Sequence, residues 1–305
     1  DTVEVGPVPT TINGSIINKG TLTGVGTDGI TFNGNVTVTG NIQNSGIIEA
    51  SNNDGVGAIY LEGGGTNIQG GINNSGSIIV AAGNSTYLAN PEHAAIYLGQ
   101  NDSASVITNT STGTIVNQGF ASGGYAIASQ GGAIGSVVNA NGGTINGAVF
   151  VQGGTIGAVR NSGEINGAVS AGQGGAIGLV ENASGGTING AVDFGSAGGV
   201  YHFTGGGQIG QISNATTIHI GAYGESGLYQ NMSSLSANLA YSGAIVVDAV
   251  GVDLGNGETR VDNGLLYVDG NVNVNNATVS VNVTNEQFIK PGDSLDVIHA
   301  SGTLT

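Results

Sequence analysis

Residues Val159 to Val192 read VRNSGEINGAVSAGQGGAIGLVENASGGTINGAV. Within this stretch V-x-N followed by a small residue, and then (E/T)-I-N-G-A-V, occurs twice, 21 residues apart. A fixed period of that length signals a chain built from stacked copies of one small unit. Working outward, the triplet (I/V)-x-N recurs at Asn18, Asn44, Asn74, Asn109, Asn139, Asn161, Asn182 and Asn214, each time before a turn of small residues. A polar-then-aliphatic step follows each turn: Thr21-Leu22, Ile47-Ile48, Ser77-Ile78, Thr114-Ile115, Thr144-Ile145, Glu164-Ile165, Thr187-Ile188 and Thr217-Ile218. Most units add a third short apolar run, such as AIYL from Ala58 and Ala95, YAIA from Tyr125, AVFV from Ala148, AVSA from Ala168 and AVDF from Ala191.

Three short strands in about 21 residues leave no room for helices of ten or more and fall short of a propeller blade. The pattern predicts an all-β fold, a right-handed parallel β-helix with coils of about 21 residues plus loop insertions. Each coil adds one strand spacing, about 4.8 Å, along the axis, so that equivalent residues stack. Spacings of 26, 30, 35, 30, 22, 21 and 32 between successive Asn residues assign the surplus residues to loops. Alternation within the third run places Ile59, Ile96, Ile127, Val149, Val169 and Val192 in one inward stack.

The recurrent Asn acquires a physical role in such a coil. At each bend its side-chain amide can donate to the Asn amide one coil below, forming a ladder from Asn18 to Asn214. Each such bond left unmade at a buried corner would cost about 1–3 kcal/mol. The Gly that follows the Asn is expected to supply positive φ at the turn.

From about Tyr223 the repeat fades, and strict period-two alternation takes over at Val272, Val274, Val279, Val281 and Val283. The expected organisation is therefore a repeat-rich β-helix over residues 1–222 and a continuation with wider strands over 223–305.

Composition bounds the function. Gly supplies 59 of 305 residues, there is no Cys or Trp, and only 8% of the chain is charged. The Gly has no three-residue period and Pro numbers only four, which excludes collagen. Net charge is −16, with Lys19, Arg160, Arg260 and Lys290 as the only cationic side chains, too few to follow a phosphate backbone. Nucleic acid is excluded as a partner on this ground. Aliphatic runs such as AIVV at Ala244 to Val247 are far below the roughly 20 residues of a membrane span. A chain opening at Asp1 suits a processed, exported protein.

The repeats VRNSGEING and VENASGGTING, with GLLYVDGNVNVNNATVSVNV and PGDSLDVIHASGTL near the end, resemble the passenger domains of bacterial autotransporters, the type V secretion family. The resemblance spans most of the chain. It implies a secreted, surface-displayed β-helical stalk used in adhesion, aggregation or biofilm; the residues themselves lead to the expectation of no enzymatic activity and no cofactor. The membrane barrel and linker helix of that family are not in this sequence.

Chemistry was weighed against this, since β-helices also carry polysaccharide lyases and glycosidases. His93, His202, His219 and His299 show no metal-ligand spacing, and no metal residues are expected. GESG at Gly224 to Gly227 is one residue short of a G-x-S-x-G elbow. The best carboxylate cluster for an alternative lyase or glycosidase is Asp248, Asp253, Glu258, Asp262 and Asp269 with Arg260. Isolated turn acids, Asp28, Asp54, Asp102 and Asp293, are the candidates for structural calcium, but the nonapeptide calcium repeat is missing. Sequons such as those at Asn35, Asn84 and Asn276 matter only in a glycosylating host.

The third strand carries the candidate binding surface. Its outward position reads Tyr60, Tyr97, Ala128, Phe150, Ser170, Asp193 on successive units. Tyr60, Tyr97 and Phe150 would form an exposed aromatic row for a glycan, or for a host or neighbouring-cell surface ligand. The open ends of a β-helix leave two alternatives, a monomeric stalk whose end a downstream segment covers, or head-to-tail self-association into fibres, with Pro7 and Pro9 either ending the pairing or shaping an arm that reaches a neighbour.

Overall fold

The computed structural model describes residues 2–51, 57–81, 90–118, 124–183, 185–204, 207–221 and 233–305. The chain is a parallel β-helix whose regular structure is nearly all strand, with three short 3₁₀ turns among the described residues. Three walls run along the axis.

The first wall collects the strands after each Asn turn, from Thr21–Val25 through Ile47–Ser51, Ser77–Val80 and Thr114–Asn117 to Leu266–Val268 and Ile298–Ala300. Its inward stack follows from the polar-aliphatic step: Ile48, Ile78, Ile115, Ile145, Ile165, Ile188 and Ile209 lie in register and are fully or almost fully buried. One isoleucine per coil at the same height contributes about 2–3 kcal/mol of apolar burial each, and β-branching suits the extended backbone.

The second wall contains the third strands, and its inward stack is Ile30, Ile59, Ile96, Ile127, Val149, Val169 and Val192. The six inward residues expected from sequence all sit in it.

The third wall ends in the Asn triplets. In the first coils it is made of two short strands per coil, Thr10–Ile12 with Ile16–Asn18, then Val36–Val38 with Ile42–Asn44, then Asn67–Ile68 with Ile72–Asn74. The strand Ser103–Asn109 pairs with both segments of the preceding coil, so the two sides fuse into one from there on. One extra residue per coil accounts for the split: Gln69, Gly70 and Gly71 lie between Ile68 and Ile72, whereas only Ser105 and Val106 join their partners Ala104 and Ile107.

Seven asparagines form the inward corner ladder. Asn18, Asn44, Asn74, Asn109, Asn139, Asn161 and Asn182 are buried and in register. Each of the first six donates Nδ2 to the Oδ1 of the next at 2.8–2.9 Å, and Asn182 donates to the Gln208 carbonyl. The same Nδ2 reaches main-chain oxygens on either side, as Asn109 does with Gly113 and Thr144.

Asn214 is not a member. Register places Phe203, not Asn214, beside Asn182, and Ile220 and Val247 follow. The triplet Ile212-Ser213-Asn214 ends the second wall instead, where Ile212 pairs with Val192, and Asn214 bonds Asp193 at 2.6 Å from a left-handed backbone. Thr217-Ile218 is likewise displaced by one side and belongs to the third wall.

The glycine expectation also needs correction. Gly46 and Gly76, which close the N-S-G turns, have no positive φ; a Cβ on either would overlap the carbonyl oxygen of the glycine one coil before. Close stacking of turns, not backbone handedness, excludes a side chain there. Positive φ is used at Gly142 and Gly185, in the longer N-x-x-G-G turns.

Beyond residue 233 the first and third walls continue in parallel register. The third-wall strand Ala244–Gly255 runs twelve residues and turns back antiparallel through Glu258–Asn263, a hairpin standing off the coil. Its turn uses the left-handed residues Gly255, Asn256 and Gly257. The strand Thr278–Thr284 closes the third wall among the described residues. Val279, Val281 and Val283 occupy the inward phase opposite Ile245, Val247 and Ala249 and are exposed, with no further strand paired to theirs among the described residues.

Candidate functional site

Side chains that leave the coil stack as regularly as those inside, and four outward ladders concentrate the chemistry. The first is the aromatic position of the second wall. Pairing puts Glu4, Thr31, Tyr60, Tyr97, Ala128, Phe150, Ser170 and Asp193 in one column, as alternation requires.

The expected continuous exposed row is not formed. Tyr60 and Tyr97 stack at 4.9 Å between ring centroids, but Phe150 pairs with Tyr125 at 5.0 Å, and Ala128 separates the two couples. Tyr97 is only 4% exposed: it packs with Ala94 and Ala128 beside the turn Pro91–His93, a loop insertion folded back over the wall. Its hydroxyl donates to Gln130 at 3.0 Å, and burial pushes its pKa up to about 12. Tyr60 is raised further for the same reason. Of the three expected ring positions, Tyr60 and Phe150 are thus the half-exposed ones, Tyr60 backed by Tyr97 and Phe150 by Tyr125.

The second ladder lies at the I-N-G corner that opened the sequence reading. Asn166 donates to Asn146 at 2.7 Å and Asn189 donates to Asn166, forming an exposed amide row outside the buried one. Gly147, Gly167 and Gly190 follow these residues, and a Cβ on Gly167 would overlap the Gly147 main chain. The repeated I-N-G is thus a packing requirement of two adjacent ladders. The exposed one was missed because N-G also reads as a generic turn.

The third ladder is the middle position of the third wall, where Arg160, Glu181, His202, His219 and Val246 succeed one another in register. Arg160 Nε pairs with Glu181 at 3.3 Å. The imidazoles of His202 and His219 stack with centroids 4.3 Å apart and planes 11° from parallel. His219 Nε2 meets Asp248 Oδ1 at 2.9 Å, and that oxygen also accepts from Asn282 Nδ2 at 3.2 Å. Burial and the neighbouring His219 hold His202 below the ordinary histidine pKa.

Sequence spacing had suggested no histidine grouping. Register supplies one, because Tyr201-His202-Phe203 and Ile218-His219-Ile220 place both imidazoles on the outward phase of adjacent strands. The apolar-His-apolar pattern shared by the two was the available signal. A fourth column pairs Tyr267 with His299, stacked at 5.4 Å.

The acids singled out for calcium or catalysis are dispersed. Asp102 is buried and accepts main-chain N–H from Gly65, Thr66 and Gly99, tying two coils together. Asp28 is buried beside the Thr31 hydroxyl, and desolvation raises its pKa to about 6. Asp293 caps the turn at Lys290, and Asp54 lies outside the described residues, as does GESG. Of the proposed carboxylate cluster, Arg260 and Asp262 form an ion pair at 2.6 Å, Asp253 caps the hairpin turn at Gly255, and Asp269 holds Ser301. Asp248 belongs to the histidine ladder. No helix among the described residues is long and apolar enough to cross a membrane.

No protein-family model, no curated protein and no solved structure matches the chain.

Proposed function

We propose that this chain is a non-enzymatic structural solenoid, a secreted or cell-surface stalk or fibre subunit serving adhesion, aggregation or biofilm, in keeping with its resemblance to autotransporter passengers. The observation that supports it is the parallel stacking of coil upon coil, in which equivalent residues pair with one another. The same outward positions recur at fixed spacing over the length of the rod, giving repeated ladders of small polar and aromatic groups. Such a surface offers many weak, equivalent contacts, which multivalent attachment exploits.

Tyr60 and Phe150 are the ring surfaces for a glycan or a neighbouring-cell ligand. Head-to-tail stacking on a second copy belongs to the same proposal, with the three exposed, in-phase valines of Thr278–Thr284 as the place to test it. The test pairs two measurements on the purified chain: retention on glycan arrays and intact bacterial cells, and turnover of acidic polysaccharides. Binding without turnover upholds the proposal. Sustained depolymerisation overturns it in favour of a lyase or glycosidase.

A further inference from the structure

We propose that His202, His219 and Asp248 form a binding site for one borderline divalent transition-metal ion, of the Zn²⁺ class, clipping three successive coils of the third wall. The three residues sit on the strands Val200–Thr204, Thr217–Ile220 and Ala244–Gly255, which are neighbours in the same parallel ladder. One ligand atom from each lies within 4.8 Å of the other two. Tetrahedral zinc with bonds near 2.0–2.1 Å needs donor atoms roughly 3.3 Å apart, a closure that small side-chain rotations supply while the backbone stays fixed. Binding exchanges the contact between His219 Nε2 and Asp248 Oδ1 for a bond from each of these atoms to the ion, with the imidazole neutral and its N–H on Nδ1.

The donor set selects the ion. Two imidazoles with one carboxylate suit Zn²⁺, Co²⁺ or Ni²⁺ and disfavour Ca²⁺ and Mg²⁺, which take oxygen shells. A solvent molecule completes the fourth position, since all three residues are partly exposed. Asn282, already bonded to the Asp248 carboxylate, orients it from the next strand. Position in the rod gives the site a purpose: the amide ladder that ties earlier coils together stops at Asn182, and the next two coils carry Phe203 and Ile220 at that corner. A metal on the outer face would restore a polar tie between coils where the inner one has ended.

The test titrates the full chain with ZnCl₂ by calorimetry and with CoCl₂ by visible absorption. One tight equivalent is expected, with a tetrahedral Co²⁺ band that both H202Q and H219Q abolish and an affinity loss of at least tenfold in each. D248N should weaken binding while keeping part of the band. The outward column carries Arg, Glu and Val elsewhere, so Gln is expected to leave the fold and its circular dichroism unchanged. Independently of any variant, nitrogen-15 spectra of the wild-type histidines should show Zn²⁺ shifting two of the four imidazoles. Equal Zn²⁺ uptake by wild type and the H202Q/H219Q double variant overturns the proposal, as does a titration that shifts all four imidazoles alike or none.

Discussion

Asn74 donates its side-chain amide to Asn109 at 2.9 Å, although 35 residues of chain separate the two. Both side chains are wholly buried, and each continues the same bond to the next coil. A coil can therefore gain or lose loop residues freely, provided its Asn returns to the same corner. Insertions change the circumference of the surface and leave the axis untouched.

Asn74→Ala should lower stability by roughly 1–3 kcal/mol, because it leaves the Asn109 Oδ1 without its Asn74 donor in a dry corner and removes Asn74's bonds to the Gly76 and Thr114 carbonyls, while Asn44 keeps its own main-chain acceptors. Asn214→Gly, at a residue outside the ladder with positive φ, should change it by less than about 0.5 kcal/mol. Denaturant unfolding of the two variants checks the contrast. Similar losses from both would refute the assignment of Asn214 to another wall.

Gly167→Ala should cost about 1–3 kcal/mol, since its new methyl group meets the Gly147 main chain with no flexible side chain to yield. Gly20→Ala meets nothing within 4 Å and should be neutral or slightly stabilising. Melting temperatures measured side by side decide it.

Asp28 provides a pH signature. Its folded pKa of about 6 exceeds the ordinary 3.8, so the folded chain holds this proton more tightly than the unfolded one. The resulting stability is fully present below the unfolded value and is lost as pH rises towards 6. Asp28→Asn should thus be more stable than wild type by about 1–3 kcal/mol at pH 7.5, with the advantage vanishing near pH 3.5. An advantage independent of pH would show that the carboxyl is not the cause.

Much of this architecture was readable from spacing. The (I/V)-x-N triplet located seven ladder positions, and the polar-aliphatic step located the isoleucine stack, because parallel stacking repeats the same demand in every coil. The eighth triplet misled for a physical reason: Ile212-Ser213-Asn214 satisfies the same local turn chemistry on a different wall, and only pairing with Val192 reveals which. Tyr97 was read as a ligand-facing ring because alternation fixes direction, whereas its covering by Ala94 depends on how a loop folds back. The histidine pair escaped because the 17-position spacing of His202 and His219 matches no local metal motif, only the length of one short coil.

If Tyr60 and Phe150 carry ligand contact, Tyr60→Ser combined with Phe150→Ser should abolish retention on the cell or glycan surface while the β-rich circular dichroism persists. Tyr97→Ser should instead lower stability, by roughly 1–3 kcal/mol, through loss of packing under the loop and of the hydroxyl bond to Gln130. Undiminished retention by the double variant would remove these rings from the binding surface.

Val281→Lys places a charge on the open strand edge in the line of the inward valines. Light scattering across a concentration series should show the association of wild type suppressed in this variant. Equal masses for both at every concentration would count against end-on stacking.

All six bonds of the buried ladder point the same way, each amide donating toward the higher-numbered coil, and the series ends where Asn182 meets Phe203. Seen as a load-bearing element, the rod has two grades of material: a stapled segment, and beyond it a segment whose corner is filled by rings and aliphatic chains alone. Pulled by its two ends, the rod should part first in the second segment and yield the stapled one only at higher force. Single-molecule stretching would record this as two separated extensions, the smaller force always first, and a single rupture of the whole length would contradict it.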